Sequence, residues 1–350
     1  MNRAHAPLPA APWTELIRRV PKAEMHLHLE GALRWETVRE LHPKGARLPP
    51  SPPWLDTAQG FSSFDDFRDL FIRILQPATG TPEAIERHTR EVLLDLAAQN
   101  VRYAEVIIGL GFHTAQGLEP EAILHAMERG KRAAEAGGVL RSRFIYGLNR
   151  NYPAARQAGQ FVRALEFAGP CGSGLLAGVD LQGDDRLGIP PEFVASFQLA
   201  NKNGLRLRAH AGELAGAQSV RVVIEELGVT HISHGVRIFE DPNLVRWIAE
   251  RGTYLHTCPT SNLRLGVAKS YAEHPLRALY EAGCNVTLNS DDPLLFGTTI
   301  TREYLHAVHA MGIPLAGLAR IVQNAFAGSL LDEADRCALQ TEVGAVLGRT

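Results

Sequence analysis

Two histidines one residue apart, His26-Leu27-His28, with Glu30 two residues further on, are the first residues whose types and spacing can do chemistry. On an extended strand side chains alternate with a period of two, so these three share one face and the imidazoles stand one step apart, able to chelate one ion. Three later stretches carry groups of the same kind: Ala209-His210-Ala211-Gly212-Glu213, His231-Ile232-Ser233-His234-Gly235 and Asn289-Ser290-Asp291-Asp292-Pro293. Neutral nitrogens from His26, His28 and His210, with a carboxylate from Asp291, make a donor set that suits Zn2+ or a similar divalent ion. A single ion per chain is expected, because the comparable stretch Val179-Asp180-Leu181-Gln182-Gly183 has no Lys that could be carbamylated to bridge two. Such an ion lowers the pKa of a bound water towards about 7 and so supplies hydroxide at neutral pH. Attack on an aromatic C–N carbon needs a proton on a ring nitrogen. Glu213 is the expected donor of that proton, and His234 the group that orients or deprotonates the water.

These residues work together only if the fold gathers them. Apolar, β-branched runs closed by Gly, Asn or Asp and followed by helical patterns recur at 22–29, 101–108, 139–146, 175–181, 205–211, 229–233, 253–258 and 285–289. Repeated βα units of this kind predict an α/β fold, a (β/α)8 TIM barrel, in which chemistry collects at the strand ends. The helices carry their own stops: Thr81-Pro82 starts one that Asn100 ends, and 219–228 and 241–252 repeat the logic with Gly228 and Gly252. Between the first two strands, a Pro-rich run at 48–53 precedes Phe64, Phe67, Phe71 and Ile74 at helical spacing. One domain over 1–350 is expected, with 31–80 as a helical lid or insertion after strand 1; the alternative is an amphipathic helix packed on the barrel's outside.

Composition excludes much else. The 350 residues are 45% hydrophobic and 21% charged, with a formal net charge of -2 and scattered Lys and Arg, so no footprint for nucleic acid or membrane is present. The start, MNRAHAPLPAAPW, lacks the pattern of a secretory signal, and the cytoplasm is expected. Cys171, Cys258, Cys284 and Cys337 are widely spaced, which fits reduced and mostly buried thiols. Pro170-Cys171 lacks the second Cys of the zinc pyrimidine deaminases, no G-x-S-x-G elbow is present, and Gly109-Leu110-Gly111 lacks the third Gly of a dinucleotide fingerprint.

Five blocks in order, KAEMHLHLEGAL, RAHAGE, ISHGV, CPTSN and LNSDDPLLFGTT, resemble the signature blocks of the adenosine deaminase family, metal-dependent purine aminohydrolases. The resemblance implies zinc on His26, His28, His210 and Asp291, protonation of purine N1 by Glu213, and action of His234 on the zinc-bound water. It also implies a hydrogen bond from Asp292 to N7 and contact of the Gly183 backbone with N3. Nucleoside-specific members usually have Asp at the position of Glu30, where it holds the ribose 5′ hydroxyl; bacterial relatives and adenine deaminases carry Glu. The stretch Asp180 to Asp185 resembles the fourth-strand end of nucleoside deaminases, so a 6-aminopurine nucleoside, adenosine or 2′-deoxyadenosine, is the expected substrate, with Glu30 reading the sugar. 6-Aminodeoxyfutalosine, free adenine and a catalytically silent protein on the same barrel are the alternatives. His231 stands where Arg is usual and Ser233 where Gly is usual, and both are expected to affect barrel packing; His256 is also atypical.

Overall fold

The computed structural model describes residues 12–55, 60–169 and 174–348, which leaves Cys171 outside the described residues. Eight parallel strands run in sequence order around one sheet: β1 Lys22–His28, β2 Val101–Ile108, β3 Arg141–Asn149, β4 Leu176–Gln182, β5 Arg206–Ala211, β6 His231–His234, β7 Tyr254–Thr257 and β8 Asn285–Leu288. The ring closes past the end of β8, where His28 N–H donates to the Asp291 carbonyl at 2.9 Å and Asp291 N–H to that of His26 at 3.0 Å. With helices around it, this is a (β/α)8 TIM barrel.

The expected strands all occur, β2 with the expected bounds and the others with shifted ends. β3 starts two residues late, because Val139 is exposed, and continues past Tyr146 because Gly147, Leu148 and Asn149 pair with β4. The helix Pro82–Ala98 has Thr81 as its cap, accepting from Ala84 N–H at 3.2 Å, and Asn100 takes φ 61° beyond its end. Gly228 and Gly252 end their helices in the same left-handed conformation.

The described part of 31–80 includes the helices Trp35–Leu41 and Phe64–Leu70, the second capped by Ser63 and continued by a wider turn at Phe71–Leu75. Phe67 stacks on Phe296 with ring centroids 5.2 Å apart, so the aromatic stripe faces the strand ends, not the barrel's outside. Cys258 and Cys284 are buried free thiols, whereas Cys337 is exposed. No helix among the described residues is long and apolar enough to cross a membrane.

Candidate active site

Barrel closure brings the first and last strands together, and with them the groups the sequence singled out. His26 Nε2 lies 3.3 Å from His28 Nε2 and 3.2 Å from Asp291 Oδ1. His28 Nε2 lies 3.3 Å from His210 Nε2 and 3.4 Å from Asp291 Oδ1. Two donors held at about 2.0–2.1 Å by one tetrahedral ion stand about 3.3 Å apart, so these spacings fit a single ion. Asp180 Oδ1 accepts from His210 Nδ1 at 2.7 Å, which puts that ring's proton on Nδ1 and leaves the Nε2 lone pair facing its neighbours. Burial pushes His28 down to about 3 and holds His26 below its ordinary value, so both are neutral and can donate a lone pair. The residues present therefore fit a zinc-type site.

Glu213 and His234 stand beside this cluster, with His234 Nε2 3.3 Å from Glu213 Oε1 and 3.9 Å from Asp291 Oδ2. Burial, then the charges of Asp291 and Asp185, raises the Glu213 carboxyl far above its ordinary value, so it keeps a proton to give. Its backbone is pinned by Asp185, which accepts from the N–H groups of Glu213, Leu214 and Ala215 at 2.9, 3.0 and 2.8 Å. Both His234 (φ 68°) and Asp291 (φ 62°) occupy the left-handed region, which costs most residues energy and is entered more readily by Asp and His.

Asp292 is buried against Gly31: a Cβ on that glycine would sit 1.8 Å from Asp292 Oδ1, so only glycine admits the carboxyl there. Burial, then Asp291, Glu30 and Glu213, raises Asp292 far above its ordinary value, and its Oδ1 has no hydrogen-bond partner among the described residues. Gly183 (φ 91°) lines the cavity where a Cβ would meet Asn149 and Asn151 Oδ1 at 2.5 Å. Glu30 Oε1 accepts from Gly109 N–H at 2.9 Å and from His113 Nε2 at 3.0 Å. It therefore braces the end of β2. The cavity encloses about 830 Å³, solvent at its mouth included, and Phe64, Phe67, Phe71 and Phe112 line it beyond these polar groups.

The adenosine deaminase family profile matches residues 21–346. The chain belongs to the adenosine deaminase family. Among its relatives, an adenine deaminase of Mesorhizobium japonicum is 35% identical, covering 91% of this chain and 96% of that protein. An aminodeoxyfutalosine deaminase of Streptomyces coelicolor is 33% identical, covering 93% and 84% respectively. The crystal structure of an adenine deaminase from Arthrobacter aurescens superposes with a TM-score of 0.84 at 27% identity, covering 93% of this chain and 98% of that one. This family member is thus an enzyme of the deaminase and amidohydrolase class.

All nine residues singled out in the sequence meet at this end of the barrel. Sequence reasoning missed Asp180 as the partner of His210, Asp185, His113 and Asn262. Asp180, Asp185 and Asn262 lay inside quoted stretches, but their partners are far away in the chain. His231 and Ser233 are packing residues: His231 stacks on Tyr254 at 4.8 Å, and Ser233 Oγ donates to Asp180 Oδ2 at 2.8 Å. His256 is a buried strand residue 2.9 Å from Thr287 Oγ1.

Proposed function

We propose that this chain is a zinc-dependent adenine deaminase, converting free adenine and water to hypoxanthine and ammonia. The observation that carries the reading is the three-imidazole, one-carboxylate convergence in a chain 35% identical, over nine-tenths of its length, to a protein named adenine deaminase. The expectation of a nucleoside gives way to a free base, which the relatives' names back better.

His26, His28, His210 and Asp291 would hold the ion, which when bound supplies a water acidified to near neutrality. Glu213, kept protonated, gives its proton to ring nitrogen N1 and so makes C6 electrophilic. Asp292, also kept protonated, donates to N7, while the Gly183 backbone approaches N3. Glu30 is then an acceptor for the N9–H that free adenine keeps and a nucleoside has lost to its sugar. A buried acceptor left without that donor penalises the wrong ligand strongly.

A second reading, deamination of aminodeoxyfutalosine, is favoured by the Streptomyces relative and by the aromatic walls of the cavity beyond Glu30. The test is kcat/KM for adenine, adenosine, 2′-deoxyadenosine and 6-aminodeoxyfutalosine, with metal content measured on the same sample. Adenine is expected to lead, with about one zinc per chain. Glu30→Gln should lower kcat/KM for adenine about 10- to 100-fold with zinc retained. A wild-type preference for any nucleoside overturns the free-base assignment.

A further inference from the structure

Beyond the site itself, a buried chain of hydrogen bonds runs from a backbone amide to His234. Leu276 N–H lies 3.1 Å from His274 Nδ1, His274 Nε2 lies 3.0 Å from Asn262 Oδ1, and Asn262 Nδ2 lies 3.3 Å from His234 Nδ1. The direction of the whole chain follows from its first member, because a backbone N–H can only donate. His274 Nδ1 is therefore an acceptor. Burial pushes this ring down to about 3, so it is neutral and its one proton is on Nε2. That N–H faces Asn262 Oδ1, which leaves the Asn262 amide N–H to donate to His234 Nδ1. A reversed Asn262 amide would set two donors against each other at the His274 end.

We propose that His274, through Asn262, is a positioning residue that fixes His234 as the Nε2–H tautomer, so that His234 enters the reaction as a hydrogen-bond donor and not as a base. Its Nδ1 is occupied as an acceptor, and its Nε2–H points at Glu213 Oε1 and Asp291 Oδ2. A neutral imidazole in that state has no free lone pair on the side of the site. Of the two roles that sequence reasoning left open for His234, orienting the water or deprotonating it, this selects orientation. It also explains why a residue 40 positions from His234, on the run before Leu276, is buried: His274 is 4% exposed. The inference deepens the deaminase reading and rests on it for the word reaction, but the tautomer is measurable without turnover.

The experiment uses full-length zinc-loaded protein labelled with 15N in the histidine rings. Two-bond ring 1H–15N correlations report each tautomer, and the His234 signals are assigned by their loss in His234→Gln. The expected result is Nε2–H for His234 in the wild type. Asn262→Asp replaces the donor with an acceptor, and should switch His234 to Nδ1–H and lower kcat on the order of 10²-fold, the low end of what acid–base groups contribute. His274→Phe should leave a mixture of tautomers with kcat reduced and KM little changed. His274→Gln, whose amide N–H can still reach Asn262 Oδ1, should restore both the Nε2–H form and most of the rate. Nδ1–H in the wild type overturns the proposal, as does unchanged kcat in Asn262→Asp or equal behaviour of His274→Phe and His274→Gln. If the tautomers behave as described while no adenine-type compound is deaminated, the functional reading fails and the relay stands.

Discussion

The barrel interior has two buried, charged halves that differ in how their charges are matched. Nearer the strand starts, Arg208 donates to Asp180 Oδ2 at 3.1 Å and to Glu105 Oε2 at 3.0 Å, while Arg206 lies 3.2 Å from Glu105 Oε1. Two guanidinium groups face two carboxylates, and the network is closed. At the strand ends, Glu30, Glu213, Asp291 and Asp292 are each no more than 4% exposed and lie among imidazoles with no guanidinium ion-paired to them among the described residues. Arg150 is buried with them, but its NH1 and NH2 donate to the carbonyls of Leu181 and His210. Buried carboxyls persist only when paired, protonated or metal-bound, so the matched half is structural and the unmatched half is where a cation and a polar substrate belong. Asp180 joins the two, holding His210 with one oxygen and Arg208 with the other.

The largest effect expected from this division is on turnover. Glu213→Gln keeps the shape of the mouth and loses the deliverable proton, so kcat should fall by about 10²- to 10⁴-fold while zinc stays bound. His210→Ala deletes one of the four donors and should lose metal and activity together. The pair is read by elemental analysis beside steady-state rates. A Glu213→Gln enzyme that keeps more than a tenth of the wild-type kcat breaks the assignment of the acid.

Stability should respond in opposite senses in the two halves. Arg208→Met leaves Asp180 without a guanidinium and Glu105 with Arg206 alone, and breaking a buried pair from one side costs about 3–5 kcal/mol. Asp292→Asn relieves a carboxyl crowded by Asp291, Glu30 and Glu213, and should leave metal-free stability unchanged or higher. Urea unfolding of the metal-free proteins measures both. Equal losses from the two substitutions would erase the distinction between a matched and an unmatched half.

The strand-end groups were legible because polar residues at period two stand out in otherwise apolar runs. His26, His28, His210 and Asp291 are all of this kind, and the βα repeat says they converge. Partnerships across the barrel were not legible. Glu30 meets His113 across 83 positions and Asp180 meets His210 across 30, and only strand order and register bring them within reach. The stripe at Phe64, Phe67 and Phe71 gave its helix but not its place, since helical spacing does not say which face of a barrel the helix covers. The expectation of a nucleoside rested on the resemblance of the Asp180–Asp185 stretch, whereas the relatives' names back the free-base alternative better. The carboxylates of that stretch hold His210 and the backbone of 213–215.

The smallest expected effect concerns a buried carboxylate that has neither a guanidinium nor a metal site beside it. Glu303 accepts from Thr260 N–H at 3.1 Å and from the hydroxyls of Thr260 and Thr298, with no ion pair to it among the described residues. Burial raises its carboxyl from 4.5 to about 7, the hydroxyl and amide hydrogen bonds offsetting only part of the cost. Between those two values the unfolded chain has released a proton that the native chain keeps, so stability falls as pH rises through the window. Above about pH 7 the loss is complete, at most about 3 kcal/mol from a shift of this size. Glu24, raised to about 8 by burial, tilts the same way and is present in both proteins compared. Metal-free wild type should therefore lose more stability than Glu303→Gln between pH 5 and pH 8 on urea titration, the difference being the share of Glu303. Parallel pH dependence in the two proteins would mean that hydroxyls and one backbone amide can hold a buried carboxylate charged, and would weaken the case that the unmatched mouth needs a cation.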